Sequence, residues 1–319
     1  MSQAAIIKAI KKYRSFLVCA HVNPDPDALS SQLALAMYLQ SQGKKVYTIN
    51  EQRPPVQFKF MPGFEMLKTI PKKKIAFDAA LIVDCGDLNR IGKVKKLIGK
   101  DHLIINIDHH ITNDKFGDLN WIEPKASSTA EMLYDLLTKA GCKFTDSICK
   151  LLYLGIMTDT GSFRYDSTTP HAHHVAAQLM KSGFSVSELY RRVYERITLS
   201  DVKMFTKVIN QFEIFHNGRA VCLTLHKDTL RKFSTEFDLR DKIFSFLRAI
   251  RGVEAIVVFS EQGQGKTRVN LRSQGNRVDV AKLAQYFGGG GHRKASGCVI
   301  DAPLPIAREK LLKQLKTIL

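Results

Sequence analysis

Eight carboxylate and imidazole side chains in four short stretches of this chain are candidates for shared chemistry: His21, Asp25 and Asp27 in "HVNPDPDALSS", the first aspartate, Asp84, in "VDCGD", Asp108, His109 and His110 in "DHH", and Asp159 in "GIMTDTG". Asp25 and Asp27 are close enough in sequence to repel one another when ionised, so a fold that keeps both charged needs a counter-charge between them. A divalent metal is the usual one. Taken singly, a strand-end aspartate is more often a turn or helix cap than a ligand. Four separate segments carrying only metal-compatible groups are harder to explain as caps. Carboxylates with a pair of imidazoles suit manganese, magnesium or iron better than thiolate-preferring metals. Two ions about 3.5–4 Å apart would use this many carboxylates and would supply a bridging hydroxide for attack on phosphorus. The chemistry expected is phosphate-ester hydrolysis.

Positioning such groups requires a scaffold that brings distant segments to one edge. The apolar runs "FLVCA", "KVYTI", "AALIVD" and "HLIINID" alternate with helical patterns, one from about Ala28 to Ser41 and another over "SSTAEMLYDLLTKAG". This alternation predicts an α/β fold, a parallel sheet flanked by helices. In open α/β sheets ligands bind outside the carboxyl ends of the strands, which is where His21, Asp25, Asp27, Asp84, Asp108, His109 and His110 fall. Asp159 ends the apolar helix "DSICKLLYLGIM". Thr169 and Pro170 start a further helix and Gly183 closes it. Beyond a helical stretch the strands "RAVCLTL", "EAIVVFS", "TRVNLRS" and "ASGCVI" mix with the helices "LRDKIFSFLRAI", "DVAKLAQYFG" and "PIAREKLLKQLKTIL". We therefore expect a first domain over 1–195, a helical linker over 196–211, and a smaller α/β domain over 212–319, with a cleft between the domains.

The length, 319 residues with 45% hydrophobic content, allows two cores of ordinary size. No apolar run nears the roughly 20 residues that span a bilayer, and the N-terminal helix has no cleavage site, so a cytoplasmic protein without a membrane partner is expected. Six cysteines lie singly in apolar segments and read as reduced, buried thiols. The net charge of +18 is uneven, with 24 basic against 18 acidic residues through Tyr190 and 24 against 12 from Arg191 onward. That excess favours an anionic partner such as nucleic acid or a nucleotide.

In the basic second part, "FGGGGHRKASG" sets four glycines before His292, Arg293 and Lys294. Consecutive glycines let the backbone approach a ligand and present N–H groups to an anion. With Arg272 and Ser273 on the preceding strand, phosphate or base recognition is expected. Three other stretches read as decoys. "GQGKT" lacks the first glycine of a phosphate-binding loop and precedes a strand, so it reads as a hairpin turn. "HAHH", His171 to His174, opens an amphipathic helix as exposed histidines, and Lys72 to Lys74 form a solvated loop.

"HVNPDPDALSS", "VDCGD", "DHH" and "GIMTDTG" in this order resemble the N-terminal motifs of the DHH phosphoesterase superfamily, and "RVNLRSQGNRVDVAKLAQYFGGGGHRKASG" resembles its DHH-associated C-terminal domain. The layout is most similar to the bacterial nanoRNase type, oligoribonucleases that also act as phosphatases on 3′-phosphoadenosine 5′-phosphate. The resemblance implies two manganese ions, with magnesium or another divalent metal as substitutes. One would be held by His21, Asp25 and Asp84, the other by Asp27, Asp84, His109 and Asp159, with Asp84 bridging. It implies that Asp108 orients the site, that His110 faces the substrate phosphate, and that Gly289, Gly290, Gly291, His292, Arg293, Ser296, Arg272 and Ser273 grip the substrate. Short oligoribonucleotides and nucleotides would be the partners, and a homodimer is compatible with the family. Pro26 and Ser30 replace the family's usual glycines. Proline has no N–H to give a phosphate, whereas Ser30 could cap the following helix. Competing readings are a cyclic- or linear-dinucleotide phosphodiesterase, a long-strand 5′ exonuclease, a family II pyrophosphatase, and a non-catalytic nucleotide- or RNA-binding member of the fold.

Overall fold

The computed structural model describes residues 3–233, 237, 239–275 and 277–319. The chain divides into two compact units, Met1–Val193 and Tyr194–Leu319. In the first, α1 (Gln3–Lys12) leads to β1 (Ser15–Cys19), α2 (Pro26–Ser41), β2 (Lys45–Asn50), β3 (Lys68–Thr69), β4 (Ala79–Val83), β5 (Leu103–Asp108) and β6 (Leu119–Ile122). The helices α3 (Thr129–Lys139), α4 (Asp146–Asp159), α5 (Pro170–Met180) and α6 (Val186–Tyr194) follow. The six strands pair in the order β3-β2-β1-β4-β5-β6, every pair parallel.

The order reverses between β1 and β4. Both are buried along nearly their whole length, as expected of strands covered on both faces. At such a reversal the loops leaving two neighbouring strands diverge and open a crevice at their carboxyl ends. The strands β3 and β6 are additions to the sequence reading, being too short or too exposed to show as apolar runs. A pair of 3-10 turns over Leu88–Leu97, kinked at Gly92, was likewise not expected from the sequence.

The helix α2 starts two residues earlier than its apolar pattern suggested. Pro26 occupies the first turn, where a missing N–H costs nothing, and Asp25 is the cap, accepting Ala28 N–H at 2.9 Å. Ser30 therefore does not cap the helix. It lies inside α2, fully buried, and its hydroxyl has no partner among the described residues.

In the second unit, α7 (Leu199–Ile209), β7 (Glu213–Phe215), β8 (Ala220–Leu225), α8 (Lys227–Leu230), α9 (Leu239–Arg248), β9 (Ala255–Glu261) and β10 (Thr267–Ser273) precede α10 (Val280–Tyr286), β11 (Gly290–His292), β12 (Ala295–Ile300) and α11 (Leu304–Leu315). The sheet is mixed, ordered β11-β12-β10-β9-β8-β7, with β8 and β9 parallel and the other pairs antiparallel. Strict alternation splits its side chains. Cys222, Val257, Phe259, Val269 and Leu271 pack with Leu283, Ala284, Leu311 and Leu315 on one face. Val221, Leu223, Ile256 and Val258 pack with Ile243, Phe244 and Leu247 on the other. Within the segment expected as a linker, α7 contributes Val208 and Ile209 to this second core.

"GQGKT" is the turn of the β9–β10 hairpin, closed by Gln262 N–H to the Lys266 carbonyl at 2.9 Å. All six cysteines are free thiols and all but Cys142 are buried. No helix among the described residues is long and apolar enough to cross a membrane.

Candidate metal centre

The site grows out of the sheet's carboxyl edge. β1 delivers His21, Asp25 and Asp27 through the loop into α2, β4 delivers Asp84, β5 ends in Asp108 ahead of His109 and His110, and α4 ends in Asp159. Asp84 takes a left-handed backbone conformation, φ 53°, which aspartate tolerates better than most residues. Its N–H still donates to the Ile107 carbonyl at 2.9 Å, so the turn starts without losing the β5 pairing.

Three groups of ligand atoms converge, each within 4.8 Å: His21 with Asp25 and Asp84, Asp27 with His109 and Asp159, and Asp84 with His109 and His110. His21 Nε2 stands 3.8 Å from Asp25 and 3.7 Å from Asp84. His109 Nε2 stands 3.6 Å from the other oxygen of Asp84 and 3.3 Å from Asp159. The two oxygens of Asp84 thus face two different imidazoles. His21 Nδ1 lies 2.8 Å from the Val22 carbonyl. Donation of that proton leaves Nε2 as the lone-pair nitrogen that a metal needs.

Electrostatics mark the same residues. Burial, then repulsion from Asp84, Asp159 and Asp25, raises Asp27 well above the carboxylate range. Burial pushes Asp159 up to about 7, with His109 pulling the other way and Asp84 and Asp25 adding to the rise. Burial opposes a charge on His21, yet its contacts with Asp25 and Asp84 outweigh it and raise the imidazole to about 10. These are the strains of a centre built from like charges, and they fall away when a cation shares the oxygens. All eight side chains named from the sequence lie in this edge region.

Several supports were not foreseen. Asp27 accepts the N–H groups of Thr129 and Ala130, the first-turn donors of α3, at 2.8 and 3.0 Å, and Thr129 Oγ1 donates to Asp84 at 2.9 Å. Ser128 caps the same helix through Glu131 N–H. The Ser128 to Glu131 spacing is a helix-start signature from which this could have been read. Asn113 Nδ2 donates to Asp108 at 2.6 Å and to Asn106 at 2.8 Å, while Asp108 contacts His110 Nδ1 at 2.7 Å. Burial works against a charged Asp108, but the His110 and Asn113 hydrogen bonds hold it below its usual range. Gly155 leaves room for Asp27, because a Cβ there would lie 2.5 Å from Asp27 Oδ1.

In the second unit, Arg268, Asn270 and Arg272 alternate along β10 on one face. With Gly288, Gly289, Gly290 and Gly291 and the β12 residues they line a cavity of about 620 Å³. Arg272 lies over the Phe244 ring at 4.8 Å. The glycine-rich stretch contains a short strand, β11, rather than a plain turn. A Cβ on Gly289 would meet the Gly297 carbonyl at 2.3 Å, and Gly291, at φ 135°, would meet that of Ala295 at 2.6 Å, whereas Gly290 faces open space. Ser273 departs from the expectation: the pleat puts it on the buried face opposite Arg272, with its hydroxyl given to the Arg293 carbonyl at 3.1 Å. The Ser296 hydroxyl likewise donates to the His292 carbonyl at 2.7 Å. His292 and Arg293 are exposed beside the cavity's lining rather than part of it. The exposed "HAHH" histidines join no metal-compatible group among the described residues, and His171 pairs with Asp135 at 3.0 Å.

A parallel sheet with this strand order and a carboxylate–imidazole edge defines the class, and comparison with known proteins agrees: the chain belongs to the DHH family. The sequence model of the DHH family, N-terminal domain, matches residues 15–156, and that of the DHHA1 domain matches residues 223–319. The chain is 31% identical over 300 residues to the bifunctional oligoribonuclease and PAP phosphatase NrnA of Bacillus subtilis, covering 92% of each chain. It is 32% identical to the protein of the same name from Thermus thermophilus, covering 98% of this chain and 92% of that one. The crystal structure of an exopolyphosphatase-related protein from Bacteroides fragilis superposes with a TM-score of 0.89 at 25% identity, covering 98% of this chain and 94% of the other.

Proposed function

We propose that this protein is a divalent-metal phosphoesterase that hydrolyses short oligoribonucleotides to mononucleotides and removes the 3′-phosphate of 3′-phosphoadenosine 5′-phosphate. One observation carries the reading: the two oxygens of Asp84 face His21 and His109 at 3.7 and 3.6 Å in a centre otherwise built of carboxylates. Near full-length similarity to relatives named for both activities supports it.

The donors fit hard or borderline cations, with only oxygen and imidazole nitrogen and no thiolate among them. His21, Asp25 and Asp84 would hold one ion, and Asp27, Asp84, His109 and Asp159 the other; manganese is the ion proposed for both. When bound, such ions activate a water and offset charge on the phosphoryl oxygens. The chain's own groups do the rest. Asp108 fixes the His110 ring through Nδ1, which turns Nε2 toward the substrate phosphate. In that position His110 hydrogen-bonds a phosphoryl oxygen, or passes a proton to the leaving oxygen as the P–O ester bond breaks and the water oxygen joins phosphorus. The cavity lined by Arg268, Asn270, Arg272 and the glycines is assigned to the nucleotide. Domain limits of 1–195 and 212–319 remain the proposed functional division.

Incubating the purified protein with an RNA dinucleotide and with 3′-phosphoadenosine 5′-phosphate, with manganese or with a chelator, tests this. Manganese-dependent release of mononucleotide and of inorganic phosphate is expected. Metal-independent turnover, or binding without turnover, would overturn it and favour a non-catalytic nucleotide binder.

A further inference from the structure

Arg90 stands six residues beyond Asp84, on the segment that leaves the carboxyl end of β4. Its main chain is held on both sides. The Arg90 N–H donates to the Asp87 carbonyl at 3.0 Å, and its own carbonyl accepts Val22 N–H at 2.7 Å, next to His21. Ile91 is fully buried in the core of the first unit. Gly92 then turns at φ 61° against Glu51, whose carboxylate accepts Lys93 N–H at 3.1 Å. The backbone is therefore fixed to the loop that carries the first histidine, while the Arg90 side chain is exposed.

Its guanidinium has no hydrogen-bond or ion-pair partner among the described residues, although a carboxylate-rich centre is close by. Main-chain geometry sets the proximity: Val22, whose N–H the Arg90 carbonyl holds, directly follows His21, and the segment that carries Arg90 begins at Asp84 at the end of β4. An arginine anchored at the rim of such a centre, yet not paired with its carboxylates, is free to meet an anion. Guanidinium groups match two phosphate oxygens at once, with a geometry that an ammonium cannot supply.

We propose that Arg90 is a substrate-orienting residue whose guanidinium holds two non-bridging oxygens of the phosphate presented to the DHH centre. The proposal rests on the phosphoesterase reading above and adds a cation from the first unit to the substrate's contacts.

The test compares the parent with Arg90→Ala and Arg90→Lys, all loaded with manganese, on an RNA dinucleotide, and also measures equilibrium binding of adenosine 5′-monophosphate. Loss of one such transition-state contact costs on the order of 10²-fold in kcat, so kcat/KM is expected to fall by about that factor in Arg90→Ala. Arg90→Lys should recover little of it, and added guanidinium ion should restore part of the Arg90→Ala rate. Nucleotide binding should weaken while metal content and thermal midpoint stay at parental values. Parental kcat/KM and parental nucleotide binding in Arg90→Ala would overturn the proposal, as would loss of metal, which would make Arg90 structural. An inactive parent would defeat the phosphoesterase reading instead, and the binding measurement would still decide the role of Arg90.

Discussion

The carboxylate of Asp27, in the first turn of α2, is hydrogen-bonded to the main-chain N–H of Thr129 at 2.8 Å across 102 residues of sequence. An acidic group at a helix N-terminus is favoured both by unpaired N–H donors and by the helix dipole. Here those contacts fix the rotamer of a residue assigned to a metal. Thr129 also reaches Asp84, so one residue orients two acids. Replacing Thr129 with Val keeps the N–H and deletes the hydroxyl. Metal affinity should drop by about 10–100-fold, the usual cost of losing a ligand's supporting hydrogen bond. Calorimetric titration with manganese checks this, and unchanged affinity would show that Thr129 Oγ1 does not tune Asp84.

Asp84→Asn should fold normally, since asparagine also accepts the left-handed conformation at this position. It should bind less than the parental amount of metal and lose turnover, because a neutral amide cannot bridge two cations. Elemental analysis together with dinucleotide hydrolysis decides; near-normal activity in manganese would break the two-ion assignment.

The metal-free centre should weaken with rising pH. Asp27 and Asp159 titrate higher in the folded chain than in the unfolded one, so between the ordinary carboxylate range and about 7 the folded state holds protons that the unfolded state has released. Stability is lost as pH climbs through that window. His21, raised to about 10, stabilises fully below its unfolded value and loses that contribution as pH rises through 10. Both effects have one sign. Denaturant midpoints of chelator-treated protein should therefore fall from about pH 6 to pH 8, and manganese binding should release protons and tighten with pH. A midpoint that climbs over this range would contradict the assignment.

The glycines of the second unit should separate by role. Gly289→Ala pushes a methyl group into the β12 backbone and should destabilise that unit by about 1–3 kcal/mol. Gly290→Ala meets nothing, so thermal stability should hold while KM for the dinucleotide rises. Equal effects of the two on stability would argue that the cavity is not shaped by Gly289 alone.

The sheet and the positions of the acids were legible because strands β1, β4 and β5 are apolar runs that end abruptly in polar groups. Asp159 was legible as the end of an apolar helix. The supports were not, because they depend on which helix start meets which strand end: nothing in "SSTAE" names Asp27 and Asp84 as partners of Thr129. Ser273 was misplaced for another reason. Its neighbour Arg272 suggested a shared role, but the period-two pleat sends adjacent residues to opposite faces. Ser30 followed the habit of serine at helix starts, while Asp25 and Pro26 had already begun the helix.

Gly155 has the widest reach of these contacts. It sits within α4, one turn before Asp159, and its bare α-carbon faces Asp27 Oδ1 and the Ala130 side chain. The helix that ends in one proposed ligand is thus keyed directly against another, without an intervening side chain. Any residue larger than glycine would press on Asp27 and Ala130 and would shift Asp27 relative to Asp159, the two acids proposed to share an ion. The closeness of α4 to Asp27 is thus set by a bare helix backbone, so the room left for an ion proposed between Asp27 and Asp159 would follow from the fold's packing as well as from the ligand list.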